Sequence, residues 1–160
     1  AGYSGLLTRQ FEQLDWLLEA PCDLLIPAAR PDAINSRNAD RIQCRYILQG
    51  SNMPSNKMTE YYLQNRRGIL SLSDMVVNVG GAIGCAVELQ MTLDEKFYAK
   101  VSTQGPQAYL EDRIHRTVSE NLTEIFQRLA ANKKEDAIFR EEALRLAEDR
   151  LKADPQTVWL

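Results

Sequence analysis

Apolar positions recur with a helical period in the opening segment. Between residues 3 and 20, Leu7, Phe11, Leu14 and Leu18 fall at i, i+4, i+7 and i+11, one helix face that Pro21 closes. The period then changes. Residues 22–26 form a short, nearly continuous apolar run closed by Pro27, and the same kind of run recurs at residues 45–48 and 68–72. The second ends in Gln49-Gly50-Ser51-Asn52 and the third in Ser73-Asp74. Runs of this length bounded by turn residues predict buried strands. Polar, helix-compatible stretches at 36–42 and 56–65 lie between them.

Strands without alternation, spaced by helical connections, indicate parallel pairing with both sheet faces covered. From Gly80 onward the pattern is helical, with candidates at 81–101, 107–131 and 135–153 and a break at 102–106. Ile114, Val118, Leu122, Ile125 and Leu129 share one face of the second candidate; Leu144, Ala147 and Leu151 share one face of the third. The expected architecture is α/β: half of a doubly wound parallel sheet of about three strands, followed by a helical carboxyl-terminal segment. Residues 1–101 would form the α/β part and residues 102–160 closing helices packed on it. Three strands are few for this class, and the chain begins at Ala1 without Met. Both suggest a piece of a larger protein.

Composition narrows the chemistry. The chain has 160 residues, 44% hydrophobic and 26% charged, which is enough for an ordinary globular domain that buries roughly two-thirds of its unfolded surface. A net charge of -3 with the cations scattered among acids gives no basic field for nucleic acid or an anionic membrane. No apolar run approaches the roughly 20 residues a membrane helix needs, and no signal peptide opens the chain. Cys22, Cys44 and Cys85 are odd in number and form no metal-ligand spacing, which fits a reducing cytoplasm and no metal site.

In an open parallel sheet, ligands lie outside the carboxyl ends of the strands. Here those positions hold Pro27-Ala28-Ala29, Gly50-Ser51-Asn52 and residues 74–78, followed by Gly80 and Gly81. Singly, each set is an ordinary turn. The glycines of Asn78-Val79-Gly80-Gly81-Ala82-Ile83-Gly84-Cys85 suggest a phosphate loop, yet they lack the Gly-x-Gly-x-x-Gly spacing and follow the third strand of this chain.

Taken in order, "CDLLIPAA", "AIN", "NA", "LQGSNMPSN", "RGIL", "SD" and "NVGG", with Glu88 seven residues after Gly81, resemble the coenzyme-binding domain of the glutamate/leucine/phenylalanine/valine dehydrogenase family. The resemblance is close over residues 21–89 and looser over the last third. It implies a Rossmann-like sheet that binds NAD or NADP in the complete enzyme, an amino-acid substrate deaminated oxidatively to the 2-oxo acid, and a homo-oligomer. Carried over by motif, Ala28 and Ala29 would border the adenosine half of the cofactor, Asn52 the nicotinamide ribose and Asn78 the nicotinamide end. Ala82 and Cys85 would line the side-chain pocket of the amino acid.

The departures are Ser51 where the family writes "GAN", Val79 where it writes "NAGG", and Cys85 where glutamate-type members place Ser. A thiol is a weak donor and also packs as a small apolar group, so Cys85 suits an acidic or a branched substrate. The family's catalytic Lys and Asp belong to an amino-terminal substrate domain, and its pyrophosphate turn to the first half of the sheet; no segment here resembles either. The chain is therefore expected to supply part of a site and to be inactive alone, with no catalytic residue of its own. The alternative is a non-catalytic Rossmann-like binding or oligomerisation module. His115 stands alone on a predicted helix, Glu88 reads as a structural contact, and the sequon at Asn121 is disregarded within a cytosolic helix.

Overall fold

The computed structural model describes residues 15–132 and 137–153. Leu7, Phe11 and Leu14 of the expected opening helix lie outside them, as do residues 135 and 136, where the third carboxyl-terminal helix is expected to start. The chain divides into two compact units, the first ending at Leu72 and the second beginning at Ser73.

In the first unit, helix α1 (Asp15–Leu18) precedes strands β1 (Leu24–Leu25), β2 (Tyr46–Leu48) and β3 (Leu70–Leu72). The three pair in parallel in the order β1-β2-β3, with Leu24 opposite Tyr46 and Ile47 opposite Ser71. All three strands predicted from the apolar runs are present, each shorter than its run. Ile34, Ala39, Ile42, Ile47, Leu63 and Ile69 form the core, with Leu18, Leu25, Cys44 and Tyr62 packed on it. The expectation that both sheet faces are covered is corrected here, because Leu24 and Tyr46 are 47% and 42% exposed. The pairing is parallel, but the apolar face they form is only half covered.

Helix α2 (Lys57–Arg67) joins β2 to β3. Asn56 caps it, its side chain accepting from the Thr59 amide at 2.9 Å. Gly68 ends it at φ +66, a left-handed cap that suits a residue without Cβ. The stretch at 36–42 does not become a helix; only a 3-10 turn at Ala39–Arg41 forms. Two asparagines explain the difference. The Asn38 side chain accepts from the Asn35 amide at 2.9 Å, and the Asn35 side chain accepts from the Arg37 amide at 3.0 Å. These local bonds compete with a helical ladder and win.

The second unit is helical: α3 (Asp74–Val77), α4 (Gly80–Leu93), α5 (Glu95–Gln104), α6 (Pro106–Ala131) and α7 (Phe139–Ala153). The single helix expected at 81–101 is two. Asp94 leaves helical geometry at φ -133 and ψ 107, and its side chain accepts from the amides of Lys96 at 2.8 Å and Phe97 at 3.1 Å. It closes α4 and caps α5. Ile125, Ile138, Phe139, Ala143 and Leu146 are buried, and the Phe126 and Phe139 rings meet edge to face at 5.9 Å. Asp74 and Arg140, both mostly buried, pair at 3.3 Å and tie α3 to α7. Helix α4 buries none of its 14 residues completely. No described helix is long and apolar enough to cross a membrane.

Candidate functional site

The turns after β1 and β2 are stitched together within the first unit. The Ser51 amide donates to the Pro27 carbonyl at 2.9 Å, and the Ser51 hydroxyl reaches the carbonyls of Pro27 at 3.2 Å and Arg30 at 3.0 Å. Further along the same loop, the Asp32 amide donates to Met53 O and the Ile34 amide to Pro54 O, each at 2.9 Å. Gly50 makes this approach possible. A Cβ there would stand 3.0 Å from the Ala28 Cβ and 3.2 Å from Ile26 Cγ2, closer than methyl groups pack.

Ala28, Ala29 and Asn52 therefore sit on two adjoining strand-end loops, all three exposed. Met53 next to Asn52 is held at φ +48, a left-handed geometry that costs a side-chain-bearing residue. Below the loop, a buried polar cluster fixes both of its ends. Gln49 Nε2, with two hydrogens to donate, lies 2.6 Å from Glu60 Oε1, 2.9 Å from Ser71 Oγ and 3.1 Å from Ser55 Oγ, and the Ser55 hydroxyl donates to Glu60 at 3.1 Å. Each of the four is at most 2% exposed. Every buried side-chain nitrogen and oxygen among the described residues has a partner.

Sequence reasoning placed Ser51 in a strand-end turn and noted it as a departure from a motif, but gave it no contact and did not single out Gln49, Met53 or Glu60. A signal existed for one of them: Gln49 directly follows an apolar run, where a buried amide must find partners.

Asn78, Ala82 and Cys85 belong to the second unit. Asn78 follows α3, its amide donating to Asp74 O at 2.9 Å, and its residue is exposed. Ala82 and Cys85 lie in the first half of α4 and are both exposed. Ala82 lines a groove of about 370 Å³ with Val79, Ile83 and Val87 opposite Tyr109 and Arg113 of α6; Cys85 is outside it. Among the described residues nothing lies within 4 Å of a Cβ added at Gly81.

A cleft of about 680 Å³ lies elsewhere, between the 32–40 segment and the start of α2. Asp32, Asn35, Arg37, Asn56, Thr59 and Tyr62 line it; Asn35 and Asn56 fall within the family-like motifs, but none of the six is a residue to which the resemblance assigns a cofactor or substrate contact. Its polar groups are largely engaged with one another: Asn56 caps Thr59, and Tyr62 donates to Asp40, which raises the Tyr62 phenol above its ordinary value. Among the described residues, no cluster of three or more His, Cys, Asp or Glu could hold a metal ion.

Three parallel strands with small-residue turns at their carboxyl ends, followed by helices, define a partial Rossmann-like α/β protein. The chain belongs to the Glutamate/Leucine/Phenylalanine/Valine dehydrogenase family, whose profile matches residues 5–154. It is 40% identical over 72 residues to a glutamate dehydrogenase of Aeropyrum pernix, covering 45% of this chain and 17% of that protein. An NADP-specific glutamate dehydrogenase of Saccharolobus shibatae is 38% identical over 72 residues, with the same coverage of 45% and 17%. A catabolic NAD-specific glutamate dehydrogenase of Bacillus subtilis is 32% identical over 80 residues, 48% of this chain and 19% of that protein. The matches thus span less than a fifth of these relatives.

Proposed function

We propose that this chain is the cofactor-side portion of an NAD(P)-dependent amino-acid dehydrogenase that deaminates glutamate or a related amino acid to the 2-oxo acid. The observation that carries the reading is the stitched pair of strand-end loops. Gly50 lets the Ala28 turn approach within van der Waals contact, and Ser51 bonds to both ends of that turn. Two flat, small-residue loops outside the carboxyl ends of parallel strands are where a dinucleotide lies in this fold class. Relatives specific for NADP and for NAD support a nicotinamide cofactor and leave the choice between the two open.

In this reading Ala28 and Ala29 flank the adenosine half, Asn52 bonds the nicotinamide ribose, and Asn78 meets the nicotinamide end. Ala82 and Cys85 border the amino-acid side chain. When bound, the cofactor would accept hydride from the substrate α-carbon. The chain's own groups bind and orient; the proton-transferring Lys and Asp, the pyrophosphate turn and the remainder of the sheet come from an amino-terminal substrate domain and the first half of the coenzyme domain. A cytoplasmic homo-oligomer completes the proposal.

The test is an absorbance assay for NAD(P)H with glutamate and with leucine, run on the 160-residue chain and on a polypeptide that joins it to those domains. The chain alone is expected to be silent and the joined protein active. Turnover by the isolated chain would refute the inactivity. A silent joined protein that still folds would favour the rival reading, a non-catalytic Rossmann-like binding or oligomerisation module.

A further inference from the structure

Cys22 and Cys44 precede β1 and β2, the two strands that pair with Leu24 opposite Tyr46. Counting back two positions on each strand sets Cys22 opposite Cys44. The backbone supports this register, since the Cys22 amide donates to the carbonyl of Gln43 at 3.0 Å. Asp23 O also accepts from the Arg45 and Tyr46 amides, each at 3.1 Å, so the chain between the cysteines and the sheet is held on both sides. Neighbouring strands lie about 4.8 Å apart, inside the range of about 4.4–6.8 Å that a disulfide spans between Cα atoms.

Both thiols are free, and their surroundings differ. Cys22 is exposed, whereas Cys44 is half-buried and packs on the core. We propose that Cys22 and Cys44 form a reversible dithiol–disulfide site that a small-molecule disulfide of the glutathione class oxidises. The proposal stands apart from the dehydrogenase reading.

The exposed sulfur reacts first. The Cys22 thiolate attacks one sulfur of the small disulfide, forms a mixed disulfide and expels one small thiolate. Cys44 then gives up its proton to solvent and attacks Cys22, closing the protein disulfide and expelling the second small thiolate. Two protein thiols lose two electrons and two protons in total, and one small disulfide becomes two thiols. Burial, and next the charge of Cys22, push the Cys44 thiol up to about 11. Burial persists when Cys22 is held in the mixed disulfide and keeps the attacking Cys44 thiolate scarce near neutrality, so closure speeds up about tenfold per pH unit there. The link would staple the amino ends of β1 and β2, opposite the loops that carry Ala28 and Asn52.

The experiment incubates the reduced full chain with oxidised glutathione, traps remaining thiols with an alkylating agent and reads intact mass and peptide linkage. Loss of two hydrogens and a Cys22–Cys44 linked peptide are expected, with the link retained in Cys85→Ser. In Cys44→Ser the reaction should stop at the Cys22 glutathione adduct, and Cys22→Ser should form no internal link. A stable Cys22 adduct in the unsubstituted chain, linkage through Cys85, or a disulfide between two chains would each overturn the proposal.

Discussion

The side-chain nitrogen of Gln49 lies 2.6 Å from Oε1 of Glu60, joining the end of β2 to the first turn of α2 where both residues are excluded from water. Ser55 and Ser71 complete the cluster, so its four members come from the residue after β2, the following loop, α2 and β3. Gln49→Leu keeps the bulk of the side chain and removes the donor. Glu60 would then retain Ser55 and lose its closest amide partner. A destabilisation of about 2 kcal/mol is expected, the scale of stranding a buried polar group, measured by urea unfolding. A loss under about 0.5 kcal/mol would mean that the cluster contributes little.

Gly50 offers a sharper steric test. The nearest atoms to an added Cβ are the Ala28 Cβ at 3.0 Å and the Ile26 methyl at 3.2 Å, with the Ala28 Cα at 3.5 Å behind them. A backbone atom cannot turn aside as a long side chain could, so Gly50→Ala must push the two loops apart. The expected cost is about 1–3 kcal/mol, as for other overpacked sites, and nicotinamide-cofactor affinity should fall with it in an active protein. Thermal unfolding and a fluorescence titration with NADH would measure the two effects. Unchanged stability would show that the close approach is not needed.

Met53 predicts the opposite sign. Its φ of +48 sits in the left-handed region, the residue is 61% exposed, and its carbonyl, which any residue supplies, accepts from the Asp32 amide. Asparagine tolerates that geometry better than methionine does. Met53→Asn should therefore stabilise the first unit by about 0.5–1 kcal/mol. A drop in the unfolding midpoint would show that the methionine side chain makes a compensating contact.

Acid should loosen the helical unit. Arg128 bridges Glu124 at 2.8 Å and Asp149 at 2.7 Å, and Arg150 reaches Glu124 at 3.1 Å, linking α6 to α7. Hydrogen bonds from Arg128 first of all lower Glu124 and Asp149 from their ordinary 4.5 and 3.8. Carboxyls depressed on folding stabilise the native state above their unfolded values and lose that contribution as pH falls through the folded ones. The contribution is thus complete above 4.5 and fades in more acid solution. It is small, because these groups face water and salt screens them. Melting curves at about pH 6 and about pH 3 should differ less for Arg128→Leu than for the unsubstituted chain, and the gap should shrink in high salt. Equal acid sensitivity in both would remove this pairing as a cause.

Much of the scaffold was legible because apolar runs and turn residues coincide. Ile47 in β2 and Ile69 just ahead of β3 are buried, and Asn56 with Gly68 brackets α2 as cap and stop. Elements went astray where a short polar side chain bonded the backbone instead. Asp94 interrupts what otherwise reads as one helix, and its position ahead of Glu95 and Lys96 was an available capping signal. Asn35 and Asn38 turned a helix-compatible stretch into a loop whose partners, Asp32 O and Ala33 O, no periodicity foretells. The candidate site divides in the same way. Strand-end loops follow from topology, whereas the Ser51 bonds to Pro27 and Arg30 join residues more than twenty apart and needed coordinates.

Cys85 is an exposed thiol in the first half of α4 and outside the groove that Ala82 lines, and the proposed function sets it beside the amino-acid side chain. If it borders the amino-acid side chain in the complete enzyme, the thiol presents a weak donor to a carboxylate and a small apolar surface to a branched chain. Cys85→Ser exchanges that for a hydroxyl of similar reach that donates well. In an active protein carrying this segment, the ratio of kcat/KM for glutamate over leucine should rise by about tenfold, the equivalent of one neutral hydrogen bond at about 1 kcal/mol or slightly more. The gain should appear mainly as a lower KM for glutamate, because a contact to the distal carboxylate is made in the ground state as well as in the transition state. An unchanged ratio would place Cys85 outside the pocket and leave Ala82 to be tested by a bulkier apolar replacement, whose effect should fall first on the longer substrate.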